Sequence, residues 1–317
     1  MARRPRALIL GLPYFSNLLR GVLQERGWET DYMAHPGRNP RSWAALLPKL
    51  WRADVLYHIT SRVDRLAPQA LLSRVWRRPY VIHWVGTDVL VALEAHRKGK
   101  LDRHFLRRAN HWVDAPWLGQ ELQEIGVEAV YQPLPVVSLS AAAPPPLPEE
   151  FRALLYLPEH PRYRRVFDVE TLLRLPHELP EIQFTLVPSR PHTLPGPLPA
   201  NLRAPGWIDD MDPIYRQASV LVRLTEHDGT SFMALEAMSR GRHVIWTYPM
   251  TGVIQAKGLA AVTAALRGLF ERHKRGELAV NEDGLHHARE HFDPAHVAVE
   301  IDQRLRDLLR ARRKPGR

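Results

Sequence analysis

The sequence predicts an α/β protein of two domains, each a parallel sheet with helices on both faces. Three observations predict it. Short apolar runs alternate with helical patterns along most of the chain, as expected of strands buried on both faces. At 317 residues the chain is roughly twice the usual single-domain length. The alternation also breaks once, at Pro133 to Pro148 with its run AAAPPPLP; such a stretch forms no packed element and reads as a semi-rigid linker.

The elements follow in order. Ala7–Leu12 is a continuous apolar run and the first strand, followed by a helical pattern over Ser16–Arg26 that stops at Gly27. Trp28–Met33 is the second strand, and Ser42–Arg52 carries helical apolar spacing at Trp43, Leu46, Leu47 and Leu50. Then come strand Asp54–Ile59, helix Asp64–Trp76 and strand Tyr80–Val85, which enters Gly86–Asp88. Helix Leu101–Ala109, strand His111–Asp114, helix Leu118–Ile125 and strand Val127–Tyr131 complete the first half. After the linker the pattern resumes with strand Ala153–Leu157, helix Asp168–Leu175, strand Gln183–Val187 and a proline-rich loop over 188–199. Helix Pro213–Gln217, strand Val220–Leu224, the loop TEHDGT, helix Phe232–Ser239 and strand His243–Thr247 follow. The expected division is a domain over 1–137, a linker over 138–150, a domain over 151–297, and a last helix (Ala298–Arg312) with a basic tail over 298–317. The halves share a pattern and not residues.

Composition excludes several classes. With 45% hydrophobic and 25% charged residues the chain is neither disordered nor fibrous. No run reaches the roughly 18 apolar residues of a membrane span, and the start MARRPRALILGLPYF makes a poor secretory signal. The absence of cysteine excludes a disulfide scaffold, a thiolate zinc site and cysteine catalysis. A cytoplasmic protein is expected, with peripheral contact at an anionic inner membrane face as an option. The net charge of +10 is uneven: residues 1–140 carry 20 Lys and Arg against 12 Asp and Glu, which suggests an anionic partner for the first half. An arginine-rich composition is the plain alternative.

The stretch Val220–Thr247, VLVRLTEHDGTSFMALEAMSRGRHVIWT, is the most informative. A strand ends, a polar loop turns, and a helix begins at Ser231, a good capping residue. In an open α/β sheet such a loop lies at the carboxyl ends of the strands, where ligands bind. The N–H groups of Thr230, Ser231 and Phe232 would suit a phosphate, and Gly229 allows close backbone approach. Asp228 lies in the loop and Glu236 about 7 Å up the helix from Ser231. Both carboxylates can therefore face one crevice, accepting hydrogen bonds from sugar hydroxyls while the helix start holds phosphates.

This text resembles the retaining GT-B glycosyltransferases with an E-x7-E signature, of the group 1 or family 4 type. Asp228 and Glu236 keep the spacing, and Leu235-Glu236-Ala237-Met238, Gly241 and Val244-Ile245 match the family's usual text; Asp replaces the first Glu. Glu226 is an outside candidate at the wrong spacing. The resemblance implies two Rossmann-like domains facing across a cleft, with a last helix that crosses back to the first. It implies that Asp228 contacts the transferred sugar and Glu236 the nucleotide ribose. Arg162 and Arg165, in Pro158–Arg165, resemble the family's R-x-x-K pair that clamps the donor pyrophosphate. Gly206-Trp207-Ile208 resembles the G-x-V segment whose backbone reads the nucleobase. In the first half, Gly86-Thr87-Asp88 is similar to the end of H-G-(S/T)-D, which faces the donor sugar; Val85 stands at the histidine position and His83 two residues earlier. The first loop, Gly11-Leu12-Pro13-Tyr14, lacks the family's double glycine. Motif-level likeness is confined to the second half.

The resemblance implies sugar transfer with retention from a nucleotide-diphosphate sugar to an unidentified glycan, lipid or small-molecule acceptor held by the first domain. It implies no metal and no cofactor beyond the donor. His287 and His291, near His286 and His296, find no acid completing a known metal pattern. A nucleotide-sugar epimerase would share the domain pair, and a degenerate partner or binding subunit is the non-catalytic alternative. Charge alone would also allow nucleic acid, but no binding motif for it is present. Two surfaces remain open. The stripe Trp43, Leu46, Leu47, Leu50 and Trp51, beside Arg41, Lys49 and Arg52, reads first as helix-on-sheet core and second as a membrane interface. Arg103, His104, Arg107 and Arg108 form a basic helical face suited to lipid phosphate or an anionic acceptor.

Overall fold

The computed structural model describes residues 3–34, 40–136 and 138–313. They form two compact units, one of Met1–Val137 with Phe292–Arg317, the other of Ser138–His291. The first unit alternates β1 (Arg6–Gly11), α1 (Pro13–Glu25), β2 (Glu29–Met33), α2 (Pro40–Arg52), β3 (Val55–Ile59) and α3 (Pro68–Val75). It continues with β4 (Tyr80–Trp84), α4 (Thr87–Arg97), α5 (Arg103–Arg108), β5 (Asn110–Val113), α6 (Pro116–Gln123) and β6 (Val130–Tyr131). All pairs are parallel, in the order β2-β1-β3-β4-β5-β6.

Strand residues two apart share a face. Leu8, Leu10, Leu56, Tyr80, Ile82 and Trp84 form one core cluster with buried residues of α2 to α6. In α2 the apolar stripe divides: Leu46 and Leu50 enter this core, whereas Leu47 and Trp51 are 62% and 84% exposed. The side chain of Trp43 lies outside the described residues, as does the end of the basic tail at 314–317. Pro68 starts α3 four residues after Asp64, because the ring pre-sets the first helical φ and its missing N–H costs nothing there. Asp102 caps α5 by accepting from the Phe105 N–H at 2.9 Å.

The second unit holds β7 (Arg152–Leu157), a 3-10 turn over Pro161–Val166, α7 (Val169–Glu178), β8 (Gln183–Pro188), β9 (Leu202–Arg203) and α8 (Asp212–Gln217). Then follow β10 (Val220–Arg223), α9 (Phe232–Ser239), β11 (His243–Trp246), β12 (Val253–Gln255), α10 (Leu259–Lys274) and α11 (Glu282–His291). This sheet is also parallel, in the order β12-β11-β10-β7-β8-β9. Sequence periodicity places no element on α4, β9, β12 or α10.

The proline-rich segment is not a bare spacer. From Ser138 on it belongs to the second unit, where carbonyls of its prolines, which have no N–H to donate, accept hydrogen bonds. The fully buried Arg242 donates to the carbonyls of Pro145 at 2.7 Å and Pro146 at 3.1 Å, and the Ser140 N–H to Ser239 Oγ at 3.1 Å. Phe292 and the last helix, α12 (Pro294–Arg313), belong to the first unit, a boundary six residues earlier than the sequence reading sets it. Val297, Ile301 and Leu305 are buried along one stripe of α12, which lies against α1. Trp28 Nε1 donates to Asp302 Oδ1 at 2.6 Å across that contact.

Candidate functional site

In the second unit the strand order reverses between β7 and β10. A doubly wound sheet binds ligands at such a switch point, outside the carboxyl ends of its strands. The loops leaving β7 and β10 carry the candidate residues and are tied together. Phe167 and Thr225 form an antiparallel bridge, the Glu226 N–H donates to the Val166 carbonyl at 2.7 Å, and the Asp168 N–H to the Leu224 carbonyl at 3.2 Å.

Helix α9 begins as expected. Ser231 Oγ accepts from the Ala234 N–H at 3.3 Å, so the cap fixes the turn that carries Gly229, Thr230, Ser231 and Phe232. Glu236 is half-buried one turn on, and both its oxygens are engaged. Oε1 accepts from Ser138 Oγ, and Oε2 from the Tyr215 hydroxyl at 2.6 Å. Burial and the Glu236 charge push the Tyr215 hydroxyl well above its ordinary value, so it stays a donor. Arg240 lies over the Tyr215 ring at 5.0 Å and donates to Asp212 at 2.8 Å, and the guanidiniums of Arg240 and Arg216 hold that carboxyl below its usual range. The carboxylate of Glu236 is thus oriented before any ligand arrives, with lone pairs to spare.

Asp228 is fixed differently. Its Oδ2 accepts from Arg223 Nε at 2.8 Å and Nη2 lies 2.7 Å away, with the two side chains only 19% and 12% exposed. Arg223 is packed over the rings of Tyr156 and Phe167, at 5.1 and 5.5 Å. Sequence reasoning missed Arg223, Tyr215 and Ser138 as partners. One signal was available: a guanidinium ending a strand otherwise apolar needs an anion, and Asp228 follows five residues on. Glu226, the outside candidate, is exposed and pairs with Lys257 at 3.2 Å.

In the 3-10 turn after β7, Arg162 and Arg165 are exposed, and Arg162 folds over the Tyr163 ring at 4.5 Å. Arg164 between them is the structural one. It donates to the carbonyls of Pro158 at 2.7 Å, Glu159 at 3.0 Å and Thr193 at 3.1 Å. Gly206, Trp207 and Ile208 follow β9, on the far side of β7 from β10. Trp207 is 69% exposed, its indole N–H donating to Asp209 at 2.7 Å.

The first unit has its own switch point, between β1 and β3. An open depression of about 300 Å³ lies there, lined by Leu12, Thr60, Ser61, Arg62, Thr87, Asp88 and Val91. Asp88 is 8% exposed; Oδ1 accepts from the N–H groups of Val85 at 3.1 Å and Val89 at 3.2 Å, while Oδ2 has no hydrogen-bond partner among the described residues. Burial, opposed by the surrounding N–H groups, pushes its pKa up to about 7. His83 does not line the depression. It is fully buried in β4 with Nδ1 2.6 Å from the Tyr57 hydroxyl, and burial lowers its pKa to about 3. The ring is therefore neutral across the physiological range. Among the described residues no group of His, Asp and Glu could hold a metal ion, and no helix is long and apolar enough to cross a membrane.

Two six-stranded parallel sheets flanked by helices are the GT-B glycosyltransferase fold, and solved structures match it over the whole chain. A sucrose-phosphate synthase from Thermosynechococcus elongatus matches with TM-score 0.68 at 16% identity, covering 98% of this chain and 100% of that one. The glycosyltransferase SnogD from Streptomyces nogalater matches with TM-score 0.53 at 17% identity, over 94% and 99% of the two chains. The pneumococcal O-GlcNAc transferase GtfA, solved with UDP and GlcNAc, matches with TM-score 0.54 at 12% identity, over 84% of this chain and 60% of that one. At these identities the likeness is one of fold. No protein-family model and no curated protein matches the sequence.

Proposed function

We propose that the protein is a glycosyltransferase that moves a sugar, with retention of configuration, from a nucleotide-diphosphate sugar to an acceptor held by the first unit. The observation that carries this is the Glu236 carboxylate, oriented by Tyr215 and Ser138 on a helix whose N-terminus faces the switch point of the second sheet. Glu236 would accept the ribose hydroxyls, and the Thr230–Phe232 amides and the exposed Arg162 and Arg165 would hold the diphosphate. Gly206–Ile208 would border the base. Asp228, fixed by Arg223, would take a sugar hydroxyl. Catalysis would come from stabilising the charge on the departing diphosphate and orienting the acceptor hydroxyl. Asp88 would take part in the first unit's depression, whereas His83, neutral and bound to Tyr57, would support the sheet around it. Neighbours of the same fold named as glycosyltransferase or O-GlcNAc transferase, one of them with UDP and a sugar bound, support the sugar-transfer part of the reading.

Glu236→Ala should weaken nucleotide-sugar binding at least tenfold in calorimetry, first screened against uridine, guanosine and adenosine diphosphates and their sugars. An unchanged affinity would discard the site. A second reading has one observation behind it: the Arg223–Asp228 pair occupies an oxygen of the acid expected to meet the sugar. A protein that binds a nucleotide sugar but never turns it over, whatever acceptor is offered, would be a binding subunit. Product formed with no acceptor at all would mark an epimerase.

A further inference from the structure

All strands of the first sheet run parallel, so they enter along one edge. Four neighbouring strands are each preceded by arginine within three residues. Arg3 and Arg4 lead into β1, Arg52 into β3, Arg77 and Arg78 into β4, and Arg107 and Arg108 into β5. With strands about 4.8 Å apart, these guanidiniums form a band roughly 15 Å across. The helix ends that carry them are fastened together: Arg78 donates to the Ala53 carbonyl after α2, and Arg108 to the Trp76 carbonyl after α3 at 2.7 Å. Of the acids at this edge, Asp54 is engaged with Arg3 at 3.4 Å and Glu29 with Arg6 at 2.6 Å, while Glu124 and Glu128 lie exposed at its far end, before β6.

Cations at helix C-termini are favoured by the helix dipole alone. The apolar side chains beside them are not explained that way. Trp51 at the end of α2 is 84% exposed and Val75 at the end of α3 is 74% exposed, with Leu47 and Leu71, four residues earlier on the same two helices, at 62% and 57%. Both helices cover one face of the sheet, since Leu46 and Leu50 of one and Ala70 of the other share a core. An indole and aliphatic side chains bordered along one edge by guanidiniums match the boundary between acyl chains and anionic headgroups. Nucleic acid would use the arginines and leave Val75 and Leu71 in water.

We infer that the strand-entry edge of the first unit, with the outer faces of α2 and α3, docks on a bilayer containing anionic phospholipid. The inference stands independently of sugar transfer. The test is flotation of the full chain with vesicles of phosphatidylcholine alone or with about one third phosphatidylglycerol. Partition onto the anionic vesicles should exceed that onto phosphatidylcholine at least tenfold, and raising salt to 0.5 M should reverse most of it. Trp51→Glu with Val75→Glu, and separately Arg77→Glu with Arg107→Glu, should each lower partition at least tenfold with unchanged melting curves. Equal partition onto both vesicles would overturn the inference, as would anionic binding that neither double variant weakens. Duplex DNA bound more tightly than the vesicles, and unaffected by Trp51→Glu with Val75→Glu, would assign the band to nucleic acid instead. A dimer abolished by that same double variant would assign it to a second copy of the chain.

Discussion

The two units reverse strand order in the same way, yet they build the loops at the switch point from different materials. In the first, the backbone does it. Gly11, Thr60 and Gly86, at the ends of β1, β3 and β4, all have positive φ, at 129°, 62° and 127°. In the second, the loops after β7 and β10 contain no positive φ among the described residues, and charged side chains hold them: Arg164 on three carbonyls, Arg223 on Asp228. A threonine in the left-handed region costs energy that surrounding structure must offset, and such outliers cluster at functional sites. The contrast teaches where each unit is vulnerable: one to a methyl group, the other to loss of a guanidinium.

The largest effect should come from Gly11→Ala. A Cβ there would lie 2.0 Å from the Ile59 carbonyl oxygen at a φ that alanine avoids, so thermal melting should show a loss of at least about 3 kcal/mol. Gly21→Ala, inside α1 with nothing within 4 Å, should instead stabilise by up to about 1 kcal/mol. Next, Arg164→Ala should cost about 2 kcal/mol by leaving the carbonyls of Pro158, Glu159 and Thr193 without their donor. If it cost nothing, the side-chain half of the contrast would fail.

Asp88→Asn tests the depression of the first unit by pH. The folded carboxyl titrates near 7, above its ordinary 3.8. The folded state therefore binds the proton more tightly, and the wild type loses stability as pH rises from about 4 through 7. Asparagine keeps the acceptor for Val85 and Val89 without the charge. Its advantage over wild type in denaturant melts should grow by about 2–3 kcal/mol between pH 5 and pH 8. A constant difference would mean that the carboxyl is not desolvated. The smallest effect belongs to Arg162→Ala and Arg165→Ala: both side chains are exposed, so stability should change by less than about 0.5 kcal/mol. A nucleoside diphosphate affinity equally unmoved would remove them from the donor site.

The motif-bearing loop of the second unit was legible because its information is local. A capping serine, a glycine and two acids at fixed spacing define a turn into a helix wherever the chain is placed. The first unit's loops carry no such signature. Thr60 looks like any threonine in sequence, and its φ of 62° occurs just past the point where β1 and β3 pair, Gly11 opposite Ile59. His83 shows the same limit, since only the neighbouring strand supplies the Tyr57 hydroxyl that occupies its ring. The turn after β7 shows the same limit: by residue type its three arginines look equivalent, and only the fold turns Arg164 inward to the carbonyls.

By itself, then, the sequence determined the alternation of strand and helix, the parallel sheets, the α9 helix with its cap, and the spacing of Asp228 from Glu236. These follow from periodicity and local hydrogen bonding, which act over a few residues. Only the tertiary structure decided which partners hold the two acids, that the proline run is strapped to the second unit by Arg242, and that half of the α2 stripe faces water. Each of these depends on groups brought together from distant positions, where desolvation of a charge or an apolar face is settled by whatever packs beside it.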